Sequence, residues 1–159
     1  TDTWYRQYGQ FLKRSLNAVG LEVEVQYMDR PTYQQMVNTG SAAKFSSGTT
    51  ASIPDAKDFL SMFYSKYRPP GQNKFNYCNP EFDELYEQAE VIPDCDRRCL
   101  LYQRMELIVL EDCPAIFLNH RVAYVLHHGW YKNYKPHAFA YGLSKYRRID
   151  IAERAAYKN

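Results

Sequence analysis

Two pairs of side chains in this sequence have the chemistry for catalysis or metal binding. Asp83 and Glu87 are four residues apart, a spacing that places two carboxylates on one face of a helix. An exposed pair of this kind, without a cleft that perturbs it, is typical of a solvated surface. His127 and His128 are adjacent, so on a strand they point to opposite faces and make poor joint ligands for one metal ion. We therefore predict no catalytic residue, no metal site and no cofactor.

Sequence motifs of known chemistry give the same result. The chain has no G-x-S-x-G, no H-E-x-x-H and no phosphate-loop glycine pattern. Cys95 and Cys99 form a C-x-x-x-C spacing without the partner pair that a zinc site requires. An α/β enzyme would need a nucleophile or a metal that the sequence does not supply, so we predict that the protein is not an enzyme.

The composition predicts one globular domain that is rich in aromatic side chains. The 159 residues are 45% hydrophobic and carry a net charge of +2, a balance that argues against nucleic-acid binding. The 15 tyrosines and 8 phenylalanines exceed what a core of this size requires, and tyrosine is favoured in ligand clefts and interfaces. With no signal peptide and no long apolar run, we interpret the chain as a mature or excised piece of a longer protein.

Two helices with their own start and stop signals occupy the centre of the sequence, at residues 80–90 and 94–110. Asn79 is a good N-cap for the first, and Pro80 suits its first helical position because the missing N–H costs nothing there. Asp94 can cap the second helix. The short connection predicts that the two helices form an antiparallel hairpin.

The flanking sequence alternates between helix and strand patterns, which predicts an α/β layer. Apolar residues at helical spacing predict a helix at 3–19, which Gly20 ends. Alternating apolar residues predict a strand at 21–27, and a short helix follows at 32–38. Further strands are predicted at 115–118, 122–126 and 147–151, and a frayed tail at 152–159.

These elements, taken in order, resemble the C-terminal lobe of the bacterial extracellular solute-binding proteins of family 5. This family contains the peptide-, dipeptide- and nickel-type binding proteins of ABC importers. The resemblance rests on N-P-E-F-D-E-L at residues 79–85, followed by D-x-x-x-R-x-x-L-Y at residues 94–102. Residues 11–26, with the sequence F-L-K-R-S-L-N-A-V-G-L-E-V-E-V-Q, also match the family's helix, glycine and alternating strand. The resemblance extends over residues 5–151.

The resemblance implies the C-terminal lobe of a type II periplasmic-binding-protein-like fold, a mixed sheet flanked by helices, at residues 1–151 with a tail at 152–159. It implies the substrate-binding component of an ABC-type importer, which binds a small-molecule or peptide-like solute between two lobes that close by a hinge motion. The implied partners are the permease's transmembrane subunits and the missing N-terminal lobe, with no nucleic acid. The implied location is periplasmic or extracytoplasmic, and a membrane anchor in the full-length parent is left open. The alternatives are an interaction module that kept the fold but lost the cleft, and an α/β enzyme with an unrecognised site.

A disulfide prediction depends on that location, because disulfides persist outside the cytoplasm. Cys78 precedes the first hairpin helix and Cys113 ends the second, so the two lie at the same side of an antiparallel hairpin. Cys95 and Cys99 are too far apart in a regular helix for the ~3.8 Å that a disulfide prefers between Cβ atoms. We favour the pair Cys78–Cys113. A distorted helix start would allow the other pair, and four free buried thiols are the remaining alternative.

The ligand-binding residues are predicted by counting positions against the family. In its peptide-binding members, a Trp and then an Asp three residues later precede the helix that contains F-L, and the Asp pairs with the peptide's α-amine. Counting back from Phe59, these positions are Thr49 and Ser52, although a gap in the loop would bring Asp55 into the place of the Asp. A pocket tyrosine of the peptide binders falls on Arg121.

This pocket has therefore lost an anion and gained a cation. A hydroxyl group cannot replace the charge-assisted bond that a carboxylate makes with an ammonium group. We predict that the site does not recognise a peptide amine and favours a polar or anionic solute. The predicted ligand-binding residues are Ser46, Thr49, Ser52, Asn119 and Arg121.

Overall fold

The structure, a computed structural model, describes residues 3–120, 122–137 and 142–157. Its helices are α1 (Thr3–Ala18), α2 (Arg30–Asn38), α3 (Lys57–Leu60), α4 (Pro80–Glu90), α5 (Asp96–Asp112) and α6 (Ile151–Tyr157). Short 3-10 turns lie at Ser61–Phe63, Ser65–Tyr67 and Leu143–Tyr146, and the strands are β1 (Tyr131–Lys132) and β2 (Arg148–Ile149). In this described part of the chain, no helix is long and apolar enough to cross a membrane.

The chain divides into two compact units. The first unit combines the residues up to Gly48 with Ser61–Glu84. The second combines Thr49–Leu60 with the residues from Leu85 onward. Helix α4 therefore begins in the first unit and ends in the second, and the hydroxyl-rich sequence before α3 changes unit at residue 49.

Aromatic rings form the core of the first unit. Phe63 stacks on Phe75 with ring centroids 5.2 Å apart, and it makes edge contacts with Tyr77 at 6.1 Å and Phe82 at 6.4 Å. Phe82, on the first turn of α4, is 0% exposed. Because such ring pairs stabilise beyond the area that they bury, the cluster fixes the loop before α4 against that helix.

One buried amide organises this loop from inside. Asn73 is 0% exposed. Its Nδ2 donates to the carbonyls of Tyr64 at 3.1 Å and Tyr77 at 2.9 Å, and its Oδ1 accepts from the amide of Tyr77 at 3.3 Å. Since buried polar groups must be hydrogen-bonded to be stable, Asn73 supplies partners to the backbone of Tyr77 and a second donor to the Tyr64 carbonyl, which also accepts from the Tyr67 amide at 3.1 Å.

Helix α1 packs against the segment that follows it. Gly9 is buried, and a Cβ added there would collide with the hydroxyl of Tyr27 and lie 3.1 Å from Cγ1 of Val25. The Tyr27 hydroxyl donates to the carbonyl of Arg6 at 3.2 Å, and the Arg6 guanidinium lies 5.8 Å from the centroid of the same ring. The missing side chain at position 9 therefore lets the segment approach the helix.

The core of the second unit comes from α4 and α5. Its buried apolar residues are Tyr86, Ala89, Met105, Ile108 and Val109. Helix α3 lies against α5. Strands β1 and β2 form an antiparallel pair in which Tyr131 is opposite Ile149.

The helix predictions are confirmed, with small changes at the ends. Helix α4 has the predicted bounds, and Asn79 caps it by accepting from the amides of Glu81 at 2.9 Å and Phe82 at 3.2 Å. Helix α5 begins at Asp96, two residues later than predicted, because the extended backbone of Cys95 (φ −166°, ψ 169°) makes that residue the N-cap. Helices α1 and α2 match within two residues at each end.

Three strand predictions are wrong. Residues 21–27, 115–118 and 122–126 are all described in the structure, and none of them is hydrogen-bonded as a strand. Val23 and Val25 keep the predicted alternation, half-buried between exposed neighbours. Helix α1 covers that face but cannot supply the backbone ladder that defines a strand. The described sheet is therefore an antiparallel pair, smaller than the mixed sheet that was predicted.

The end of the chain is more ordered than predicted. The strand predicted at 147–151 is confirmed in shorter form as β2. The frayed tail is wrong for the described residues, because α6 follows directly. Lys132 forms an ion pair with Glu153 at 2.7 Å, and the Arg154 guanidinium lies 5.3 Å from the ring centroid of Trp130. These contacts hold α6 to β1.

Candidate functional site

The hydroxyl-rich segment, residues 42–52, carries three of the predicted ligand-binding residues and contains neither helix nor strand. Side chains of the first unit hold its beginning. The Tyr33 hydroxyl of α2 donates to the carbonyl of Ser46 at 2.6 Å, and Phe45 stacks on Phe75 at 5.7 Å. Partial burial raises the pKa of Tyr33, so its hydroxyl stays a donor at neutral pH.

In the second unit, Asp55 follows this segment and bonds to two helices. Its carboxylate forms an ion pair with Nη2 of Arg98 at 2.9 Å. It also accepts from the Tyr102 hydroxyl at 3.0 Å and from the Lys57 amide at 2.9 Å. Arg98 and Tyr102 are four residues apart on α5 and so face the same side. We call Asp55, Arg98 and Tyr102 the Asp55 cluster.

Arg98 also reaches the end of α4. Its Nε donates to the carbonyl of Ala89 at 3.2 Å, and its guanidinium lies 5.2 Å from the ring centroid of Tyr102. A second ion pair, between Lys57 and Glu90 at 2.7 Å, joins α3 to the same end of α4. One planar side chain thus links α4, α5 and the residue that follows the hydroxyl-rich segment.

The charges in the Asp55 cluster support one another. Partial burial acts to raise the pKa of Asp55, but the bonds from the Lys57 amide, the Tyr102 hydroxyl and Arg98 outweigh it and hold that pKa below its ordinary value. Burial and the neighbouring Asp55 carboxylate raise the pKa of Tyr102 to about 12. At neutral pH the cluster therefore consists of a carboxylate, a guanidinium and a neutral phenol, the states in which each bond is strongest.

Replacing Tyr102 by phenylalanine is expected to remove a phenol that titrates near pH 12. The difference between the tyrosinate absorbance titrations of wild type and Y102F should have its midpoint at about 12. The matched control is Tyr124→Phe, since Tyr124 is 89% exposed, and this variant should keep the Tyr102 step at about 12.

The same shift sets the sign of the alkaline stability change. The folded pKa of Tyr102 is above its unfolded value, so its contribution to stability is complete below about pH 10 and is lost as the pH rises towards 12. The free energy of unfolding in urea should therefore fall faster over that pH interval for the wild type than for Y102F. Parallel curves for the two proteins would contradict the assignment.

Four of the five predicted ligand-binding residues lie in the described structure, and all four are exposed. Thr49 and Ser52 share the part of the hydroxyl-rich segment that belongs to the second unit. Asn119 belongs to another segment of that unit, and Ser46 belongs to the first unit. Arg121 lies outside the described residues. The five residues stay a prediction as a set.

The structure bears on the alternative that Asp55 takes the place of the amine-binding Asp. Its carboxylate already accepts from Arg98, Tyr102 and the Lys57 amide. A peptide ammonium group would have to compete with the guanidinium in an ion pair whose side chains are only 23% and 14% exposed. In this geometry the Asp55 carboxylate is engaged by side chains of the second unit.

Arg98 and Tyr102 are part of the motif at residues 94–102, but the motif alone gives them no partner. The signal that could have found them is the spacing of four residues between a cation and a phenol on α5. An acidic residue at the start of a distant helix, such as Asp55, is a suitable partner for that pair. Nothing in the local pattern selects Asp55 over the other carboxylates.

The predicted disulfide between Cys78 and Cys113 is not formed in the structure. All four cysteines are free and exposed. Cys113 instead ends α5 in the left-handed conformation (φ 46°, ψ 51°), and its thiol donates to the carbonyl of Ala115 at 3.8 Å. The alternative of four free thiols matches, except that they are exposed and not buried.

The groups considered for catalysis have structural contacts. Asp83 accepts from the amide of Ser65 at 3.0 Å and from the hydroxyl of the same residue. The ring of His128 stacks on Trp130 at 4.7 Å, and His127 bonds to the carbonyl of His128 at 3.3 Å. Among the described residues, no group of three or more His, Cys, Asp or Glu side chains could hold a metal ion.

Comparison with known proteins finds similar binding proteins, and no protein-family model matches the chain. The probable deoxycholate-binding periplasmic protein YgiS of Escherichia coli K12 is 29% identical over 98 residues, 62% of this chain and 18% of that protein. The dipeptide-binding protein of Escherichia coli K12 is 19% identical over 120 residues, 75% of this chain and 22% of that protein. The di/tripeptide-binding protein 3 of Pseudomonas aeruginosa UCBPP-PA14 is 23% identical over 106 residues, 67% of this chain and 20% of that protein.

A solved structure agrees with these relatives. The ABC transporter-associated periplasmic binding protein DppA from Helicobacter pylori, in complex with peptide STSA, matches with a TM-score of 0.63 and 24% identity over 68% of this chain and 22% of that chain. The chain is similar in sequence to periplasmic and peptide-binding proteins. The predicted fold, part of an α/β lobe of a periplasmic binding protein, is thereby confirmed. The chain spans between 18% and 22% of the length of the solute-binding proteins that it matches.

Proposed function

We propose that the chain is the C-terminal lobe of the substrate-binding component of an ABC-type importer. The observation that carries the proposal is the match to DppA, whose structure contains a bound peptide. The three sequence relatives are also named as binding proteins, and none is named as an enzyme. We infer a protein that binds a solute without transforming it.

The proposed mechanism needs more protein than this chain. A second lobe, from the part of the relatives that the chain does not span, closes over the solute by a hinge motion. The closed form then docks on the transmembrane subunits of the permease. The names of YgiS and of DppA support a periplasmic location.

We propose a polar or anionic solute. The relatives include proteins named for dipeptides and one named for deoxycholate, a carboxylate with a large apolar body. Counted without gaps from Phe59, the hydroxyl groups of Thr49 and Ser52 take the positions where the peptide binders carry a ring and a carboxylate, and Asp55 is engaged by Arg98. Ser46, Asn119 and Arg121 are the other predicted ligand-binding residues.

Calorimetry on the full-length gene product tests the proposal, with deoxycholate and alanyl-alanine as probes. The full-length protein is expected to bind deoxycholate more tightly than alanyl-alanine. The 159-residue chain alone is expected to bind at least about 100-fold more weakly, because a two-lobed cleft takes its contacts and its preorganised closure from both walls. Arg121→Ala should weaken deoxycholate binding in the full-length protein.

Two results would contradict the proposal in different ways. Tight alanyl-alanine binding that survives Arg121→Ala would overturn the solute class but keep the importer. Failure of the full-length protein to bind either probe or a wider peptide and organic-acid library would overturn solute binding. That second outcome would favour an interaction module that kept the lobe fold without its cleft.

A further inference from the structure

We propose that Arg98 and Tyr102 are positioning residues of the solute site, which hold the hydroxyl-rich segment in its binding conformation through Asp55. This inference rests on the proposed function, because it assigns the segment to the solute. Neither residue is placed in contact with the solute. Their action is to fix the chain from which Thr49 and Ser52 project.

The segment depends on side chains for its shape because it has no regular structure. In its second-unit part, the Ser52 amide donates to the carboxylate of Asp58, and the Asp55 amide donates to the carbonyl of Ile53 at 2.9 Å. Both bonds are local, within six residues. The bonds that tie this part of the chain to a long helix are those from Arg98 and Tyr102, 43 and 47 residues further on.

The geometry requires arginine at position 98. The Nε of Arg98 bonds to the carbonyl of Ala89 while its Nη2 bonds to Asp55, so one rigid plane sets the distance between the end of α4 and the segment. A lysine has a single ammonium group on a flexible stem and cannot make both bonds in this fixed arrangement. The neighbouring Lys57–Glu90 pair is more exposed, at 36% and 33%, so it contributes less to that rigidity.

Holding the segment matters for affinity because ordering a loop on binding costs free energy that a preorganised loop does not lose. Asp55 follows Ser52 closely in the sequence, with Ile53 and Pro54 between them. Loosening the cluster should therefore weaken solute binding through faster dissociation, while leaving the helices of the second unit intact.

Amide hydrogen exchange on the full-length gene product, without any solute, tests whether Arg98 and Tyr102 hold the segment. Arg98→Lys is expected to speed exchange at residues 49–56 about tenfold and to leave residues 105–112 of α5 unchanged. The matched control is Arg97→Lys, the same change one residue earlier at an exposed position, which should alter neither region. Tyr102→Phe, a milder change, should speed exchange at residues 49–56 by a smaller factor.

Unchanged exchange at residues 49–56 in R98K would overturn the proposal. So would uniform acceleration across the second unit in both R98K and Y102F, since that pattern indicates a purely structural role. Acceleration in R98K that is confined to residues 49–56 supports it.

Binding kinetics with deoxycholate and alanyl-alanine test whether holding the segment strengthens solute binding. R98K is expected to bind the probe about tenfold more weakly, through a faster dissociation rate, while R97K is expected to bind like wild type. Saturating probe is expected to restore protection of residues 49–56 in R98K. Unchanged affinity in R98K would overturn the positioning role. If wild type binds neither probe, the proposed function fails for these solutes, and the exchange experiment still decides whether Arg98 holds the segment.

Discussion

Replacing Phe82 by alanine is expected to lower the free energy of unfolding of the first unit by about 3–5 kcal/mol. Phe82 is 0% exposed and meets the rings of Phe63 at 6.4 Å and Tyr77 at 5.9 Å. Removing the ring loses its transfer free energy and also leaves a cavity, because rigid neighbouring rings cannot collapse into the space. The N-cap bonds of Asn79 go to backbone amides, so α4 keeps its start signal in the variant.

Urea denaturation followed by far-UV circular dichroism measures this loss. The control is Phe11→Ala, since Phe11 lies on α1 of the same unit and is 61% exposed, and it should cost less than about 1 kcal/mol. Equal losses in the two variants would show that Phe82 does not lie in a close-packed core.

The second large effect is expected at Asn73. Asn73→Ala should lower the free energy of unfolding by about 3 kcal/mol, because three bonds are lost: those of the amide side chain to the Tyr77 carbonyl, the Tyr77 amide and the Tyr64 carbonyl, the last of which keeps its bond from the Tyr67 amide. These groups lie around a position that is 0% exposed, so water cannot replace the amide without opening the core. Asn38→Ala, at an exposed position on α2, is the matched control and should change stability by less than about 1 kcal/mol.

Asn73→Asp gives this prediction a pH signature. The substitution replaces the Nδ2 donor by a carboxyl oxygen that faces the carbonyls of Tyr64 and Tyr77. Only the protonated carboxyl can donate to a carbonyl, so burial should raise its folded pKa above the unfolded value of about 3.9. The variant is then most stable below about pH 4 and loses stability as the pH rises through the folded pKa. A stability deficit that is the same at pH 4 and pH 7 would contradict the assignment.

The helices could be predicted from sequence because their signals are local. Asn79 and Pro80 start α4 through their own backbone and side-chain chemistry, and the apolar stripe needs only a core to face. The strands could not be predicted in the same way. Val23 and Val25 alternate as a strand requires, but a strand is defined by a partner, and the pattern at residues 21–27 does not say whether α1 or another strand covers that face.

For the candidate site, too, only local features could be predicted from the sequence. These are the hydroxyl-rich composition of residues 42–52 and the family resemblance of the motifs at residues 79–102. The bonds of Asp55 could not be predicted, because its partners Arg98 and Tyr102 are 43 and 47 residues away and local spacing carries no information about such distant contacts. Cys113 shows the converse error. Its position at the end of α5 was predicted closely, but the left-handed turn there gives its thiol a partner within two residues.

Gly9 has a consequence for how this sequence can change over evolutionary time. A glycine inside a helix costs about 1 kcal/mol relative to alanine, and selection would ordinarily remove it. Here a Cβ would collide with the hydroxyl of Tyr27, so the Tyr27 side chain would have to shift and give up its bond to the carbonyl of Arg6. Positions 9 and 27 are therefore coupled, and a larger residue at the first is expected to cost less stability when the second carries a smaller one.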